Sequence, residues 1–258
     1  MISFLSIIAI GFFLGMRHAT DPDHVVAVTT IVSRQNKIGR AALTGIFWGI
    51  GHTLTIFVVG TAIILFDVVI PARIGLGMEF SVAVMLIILG LMNVVSFSRS
   101  AQSIARIQGG VTTHAHSHAS GELIHTHTHE PESMSLTRMD RWFGNLGFYR
   151  QLRPLLIGIV HGLAGSAAVA LLVLTTIRDP HWAIAYLLIF GIGTVAGMML
   201  ITMSIASAFN FFGRKHANFS VRLGLISGLL SLGFGLLLVY QIGFVGGLFS
   251  GHPQWTPH

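Results

Sequence analysis

The 258-residue chain contains no cysteine, and only 9% of its residues are charged. Without cysteine there is no disulfide framework, and no thiolate is available as a metal ligand or nucleophile. Soluble globular domains carry about a quarter charged residues, so the scarcity of charge excludes a water-soluble globule. With 53% hydrophobic residues, the chain reads as an integral membrane protein. Two further absences narrow its chemistry. No phosphate-binding Gly-x4-Gly-Lys loop is present, so direct coupling to ATP would need another chain, and no His-Glu-x-x-His pair is present, the zinc and general-base arrangement that an intramembrane metalloenzyme would want. The formal net charge is +6, but Lys and Arg form no single stripe and no nucleic-acid recognition motif accompanies them. Nucleic acid is therefore not an expected partner.

What the chain has is apolar length. Six blocks, 2–32, 41–66, 75–97, 154–177, 181–209 and 220–248, approach or exceed the ~20 residues that a helix needs to cross a bilayer. The expected fold is an all-α polytopic membrane protein of six transmembrane helices. The opening MISFLSIIAI has no basic n-region and runs into polar residues without a cleavage site, so it is read as a retained span rather than a signal peptide. Arg34, Lys37, Arg40, Arg99, Arg106, Arg138, Arg141, Arg150, Arg153, Arg214, Lys215 and Arg222 fall in the loops 33–40, 98–153 and 210–222, against Arg73 and Arg178 on the other side. By the positive-inside rule the first set is cytoplasmic and both termini face outward.

The blocks also repeat. WGIGHTLT at 48–55 returns as FGIGTVAG at 190–197, and GMRHATDPDHVVA at 15–27 aligns with GIVHGLAGSAAVA at 158–170, which lays His18 on His161. The nearly constant offsets, 142 and 143 residues, divide the chain into a three-helix repeat at 1–97, a polar loop at 98–153 and a second three-helix repeat at 154–258. Because three is odd, the second repeat is expected to be inverted in the membrane, the plan of many secondary transporters.

Within the first apolar block sits MRHATDPDHVVAVTT, residues 16–30. Ionisable residues in a membrane helix are costly and mark ion paths or buried pairs. Arg17 and Asp21 are four apart, a spacing suited to mutual neutralisation on one helix face. His18 and His24 would lie about 240 degrees apart on an ideal helix, so they cannot share a face without a break. Pro22 supplies one: its ring clashes with the carbonyl of His18 and its missing N–H frees that oxygen as an acceptor. An opened turn with His18, Asp23 and His24 is a plausible divalent-cation site, with Asp21 alongside.

His52 in GIGHTLTIF and His161 in GIVHGLAGSAA are single histidines among small residues. A lone membrane histidine more often bonds helix to helix than binds metal, but their repeat positions make both candidate ligands. The small residues Gly162, Ala164, Gly165, Ser166, Ala167 and Ala168 suit close helix packing, and Thr53, Asn93 and Ser166 are candidate polar lining. In the central loop, His114, His116, His118, His125, His127 and His129 fall within sixteen residues. Such a tract in a solvated segment binds transition metals weakly and without fixed geometry.

RHATDPDHVVAVTT resembles the signature of the nickel/cobalt transporter (NiCoT) family, His-x4-Asp-His in a transmembrane helix, matched by His18, Asp23 and His24. WGIGHTLT resembles the family's second motif through Gly51 and His52, and GIVHGLAGSAA resembles the corresponding segment of its short, urease-accessory-like members. The resemblance spans all six blocks. It implies secondary uptake of Ni2+ or Co2+ across the cytoplasmic membrane, with no cofactor beyond the transported ion, no enzymatic activity, and a cytoplasmic metallochaperone as a candidate partner. The chain departs from the classical pattern in having Pro22 in place of alanine, six blocks rather than eight helices, and no acidic residues in the second-half segment. His-rich cytoplasmic loops also occur in exporters, so export is the alternative direction. Oligomeric state has no sequence signal.

Overall fold

A computed structural model describes residues 4–33, 35, 37–66, 70–109, 152–164, 177, 179–215, 217–250 and 252–255. Among them the secondary structure is entirely helical: α1 (Phe4–His18), α2 (Pro22–Val32), α3 (Ile38–Phe66), α4 (Ala72–Gly109), α5 (Leu152–Ala164), α6 (Pro180–Lys215) and α7 (Ala217–Tyr240), the last followed by a π-helical turn, Gln241–Val245. Among the described residues, four stretches are long and apolar enough to cross a membrane: Ile38–Phe66, Ala72–Ser98, Pro180–Phe211 and Val221–Val245. Leucines such as Leu229, Leu230, Leu236 and Leu237 are exposed along α7, as a surface solvated by lipid rather than water allows.

The first apolar block is not one crossing helix. At 15 and 11 residues, α1 and α2 are each too short for a ~30 Å hydrocarbon core. The break lies at residues 19–21. Asp21 is extended (φ −60°, ψ 145°) and Pro22 is the first residue of α2, a position where the missing N–H costs no helical bond. The carbonyl of His18 is not left free, because it accepts the Asp21 N–H at 3.1 Å while that of Arg17 accepts Thr20 N–H at 2.8 Å. Nor is Asp21 held by Arg17 from one turn away: helical spacing ends at His18, and Asp21 Oδ2 turns back to His18 Nδ1 at 2.8 Å.

The long helices pair as α3 with α6 and α4 with α7, while α1 lies along α6. Glycine permits the closest approaches. A methyl group at Gly15 would overlap the carbonyl of Phe190 in α6, and one at Gly158 would overlap the carbonyl of Trp48 in α3. The same exchange occurs between Gly193 and the Phe12 carbonyl, and between Gly51 and the Leu155 carbonyl. Trp48 and Phe190 are themselves fully buried, so these contacts fix both short helices, α1 and α5, against the centre of the bundle. Asn93 and Thr53 tie helices together: Asn93 Nδ2 donates to the Gly224 carbonyl at 3.1 Å, and Thr53 Oγ1 to the Gly191 carbonyl at 3.2 Å. Ser166 and the six loop histidines lie outside the described residues.

Candidate metal centre

The α1–α2 break, the middle of α3 and the end of α5 converge on one point. From the break come His18, Asp23 and His24; α3 adds His52 and α5 adds His161. Two groups result, His18 with His24 and His52, and Asp23 with His24 and His161, each offering ligand atoms all within 4.8 Å of one another. His24 belongs to both. Its ring centroid is 4.9 Å from those of His18 and His52 and 4.3 Å from that of His161. The break makes this possible, because an unbroken helix would direct His18 and His24 apart.

The cluster is buried among apolar and aromatic walls. His24, His52 and His161 are at most 2% exposed. Trp48 lies against His24 and His161 at centroid distances of 5.9 and 5.6 Å, and Phe190 against His18 at 5.5 Å. Two carboxylates orient imidazoles. Asp21 holds His18 through Nδ1, and Asp23 Oδ2 accepts from His161 Nε2 at 2.9 Å. Asp23 Oδ1 accepts the His24 main-chain N–H at 2.9 Å. That oxygen is also 3.2 Å from His24 Nδ1, but not in hydrogen-bonding alignment, and neither ring nitrogen of His24 has a hydrogen-bond partner. His52 Nδ1 and His161 Nδ1 are likewise unpartnered. Buried polar atoms normally find partners, so a concentration of bare imidazole nitrogens around one point suits an electrophilic guest. Neutral imidazole and carboxylate together are donors for Ni2+, Co2+, Zn2+ and Cu2+.

Asp21 stands apart from both groups. It approaches the cluster through His18, as an outer carboxylate that fixes a ring and its tautomer.

A cavity of about 650 Å3 connects this cluster with a second region of the protein. His18, Asp21, Asp23, His24, His52 and His161 line it at the histidine end; Leu76 and Glu79 of α4, Gln241 of the π-helical turn, and Gln254 and Trp255 line it elsewhere. Trp48 and Trp255 carried no signal in the sequence, whereas Glu79, as an acid inside a predicted span, was open to notice.

A helical membrane bundle in which buried histidines meet two carboxylates at a broken helix is an arrangement suited to a cation. Residues 4–242 match the NicO family, high-affinity nickel-transport protein, and the chain belongs to that family. It is therefore a membrane protein of a nickel-transport family, not of an enzyme family. It is 36% identical over 252 residues to the urease accessory protein UreH of Bacillus sp. (strain TB-90), covering 96% of this chain and 97% of the relative. The relative's name assigns it an accessory role to urease and gives this chain no catalytic one. More distant similarity, 24% identity over 232 residues, links the chain to Chloroplast protein FOR GROWTH AND FERTILITY 1 and 2 of Arabidopsis thaliana, covering 89% of this chain and 57% and 55% of those proteins. No solved structure matches.

Proposed function

We propose that the chain is a secondary transporter that carries Ni2+, or Co2+, inward across the cytoplasmic membrane, and that the ion is ligated at the α1–α2 break. One observation carries the reading: His24, 2% exposed and without a hydrogen-bond partner on either ring nitrogen, sits where two ligand groups overlap. A bare buried imidazole flanked by three others and a carboxylate is a poor packing element and a good cation ligand. His18, Asp23, His24, His52 and His161 supply donors, and Asp21 orients His18.

The transport plan is two inverted three-helix repeats, 1–97 and 154–258, making six crossings in which α1 and α2 together form the first. Support comes from the reciprocal glycine contacts. Gly15 against Phe190 corresponds to Gly158 against Trp48, and Gly193 against Phe12 to Gly51 against Leu155, at the 142- and 143-residue offsets of the sequence repeat. With both termini outside, the basic segment 98–153, which begins with the last turns of α4, is cytoplasmic, and its six histidines buffer metal after passage without forming part of the path.

The test is radioactive nickel accumulation in cells lacking their own nickel uptake. The wild-type chain should raise the initial rate, and His24→Ala, present in the membrane in equal amount, should abolish the gain. A fall in cellular nickel caused by the wild type would instead assign export, and unchanged accumulation by the variant would remove His24 from the path.

A further inference from the structure

Of the chain's acidic residues, four fall among those described: Asp21, Asp23, Glu79 and Asp179. Three of them line the cavity that reaches the histidines. Two act at the cluster. The third, Glu79, lies in the second turn of α4, inside the apolar span Ala72–Ser98, where a carboxylate is costly unless it faces water or a cation. It is held in place by a residue 176 positions away: Trp255 Nε1 donates to Glu79 Oε1 at 2.8 Å. The indole is seated on α4, since a methyl group at Gly75 would overlap its ring. The chain returns to this seat from the π-helical turn through a closed loop, in which Gly247 takes a left-handed φ of 74° and Gln254 N–H bonds the Gly246 carbonyl at 3.0 Å.

We propose that Glu79 is the cation-recruiting carboxylate of this cavity, fixed by Trp255 so that its charge draws the divalent ion toward the histidine cluster. This rests on the reading of the chain as a nickel or cobalt carrier. The mechanism is electrostatic. A fixed negative charge in a cavity with low-dielectric walls focuses its field along the opening and raises the local concentration of a doubly charged ion. Glu79 lies outside both ligand groups, so it acts on capture and leaves the tight site unchanged.

Glu79→Gln keeps an oxygen to accept the Trp255 N–H and removes only the charge, so the anchoring of the C-terminal loop survives. In proteoliposomes at low ionic strength, its KM for Ni2+ should rise about three- to tenfold with maximal velocity within about twofold of wild type. The difference should shrink to under about twofold at 0.5 M salt, where screening acts over only a few ångströms. Glu79→Asp, which keeps the charge, should hold KM within about twofold of wild type. The proposal is overturned if Glu79→Gln leaves KM unchanged at low salt, if its defect is insensitive to salt, or if Glu79→Asp is as impaired as Glu79→Gln, which would make Glu79 an anchor only. A wild-type protein that moves no nickel overturns the transport reading and this proposal with it. Normal wild-type transport with an unaffected Glu79→Gln overturns the role of Glu79 alone.

Discussion

The Nε2 atoms of His18 and His52 face each other at 3.1 Å, 34 residues apart in sequence and on different helices. Because Asp21 accepts from His18 Nδ1 at 2.8 Å, the neutral His18 ring has a bare Nε2, and the proton between the rings belongs to His52. That leaves His52 Nδ1 without a proton and, in its buried position, without a partner. Shifting the His52 proton from Nε2 to Nδ1 turns two bare Nε2 lone pairs toward one point. The pair is thus a hydrogen bond between imidazoles of two different helices.

The two ligand groups make unequal demands on their members. His24 belongs to both and His52 to one. His24→Ala is expected to abolish tight nickel binding by the purified protein, while His52→Ala retains a weakened site through Asp23, His24 and His161. Isothermal titration of the two variants checks this, and equal losses would show that the groups act as one site.

Asp21 tests orientation separately from ligation. Asp21→Asn keeps the bulk of the side chain but weakens the hold on the His18 ring. Loss of such an outer partner typically costs about 10- to 100-fold in metal affinity. Nickel affinity should fall within that range with the stoichiometry unchanged, whereas loss of the metal equivalent itself would make Asp21 a direct ligand.

Protons compete with the metal for imidazole. A histidine must be neutral to ligate, so affinity falls as pH is lowered. Direct titrations from pH 8 down to the acid limit of folding should show nickel affinity falling with pH, and affinity that falls nowhere in that range would count against histidine ligation.

Helix contact at glycine gives a prediction on stability. At Gly158 an added side chain meets the main chain of α3 at Trp48 and His52, and backbone cannot yield as a flexible side chain does. Gly158→Val should destabilise the protein by about 1–3 kcal/mol or more through overpacking and displace His161 from His24. Gly39→Ala meets nothing within 4 Å and should be neutral, as thermal unfolding in detergent would register.

Local physics was legible along the chain. Apolar blocks of spanning length, a cluster of ionisable groups that a membrane helix tolerates only for a purpose, and a proline that must interrupt the first block all follow from nearest-neighbour sterics and the cost of burying polar groups. They placed the break between His18 and Asp23 before any fold was known. The partner of Asp21 was not legible, because i,i+4 pairing with Arg17 assumes a helix that the proline ends at His18. Nor was the convergence of His52 and His161 on His24. A sequence sets which face of a helix a residue occupies, but where that face points depends on how helices over a hundred residues apart pack, here through glycines pressed against the main chain at Trp48 and Phe190. The bond between Trp255 and Glu79 belongs to the same category: neither residue carries a local pattern, and only the folding of the C-terminal segment back onto α4 brings an indole to the carboxylate.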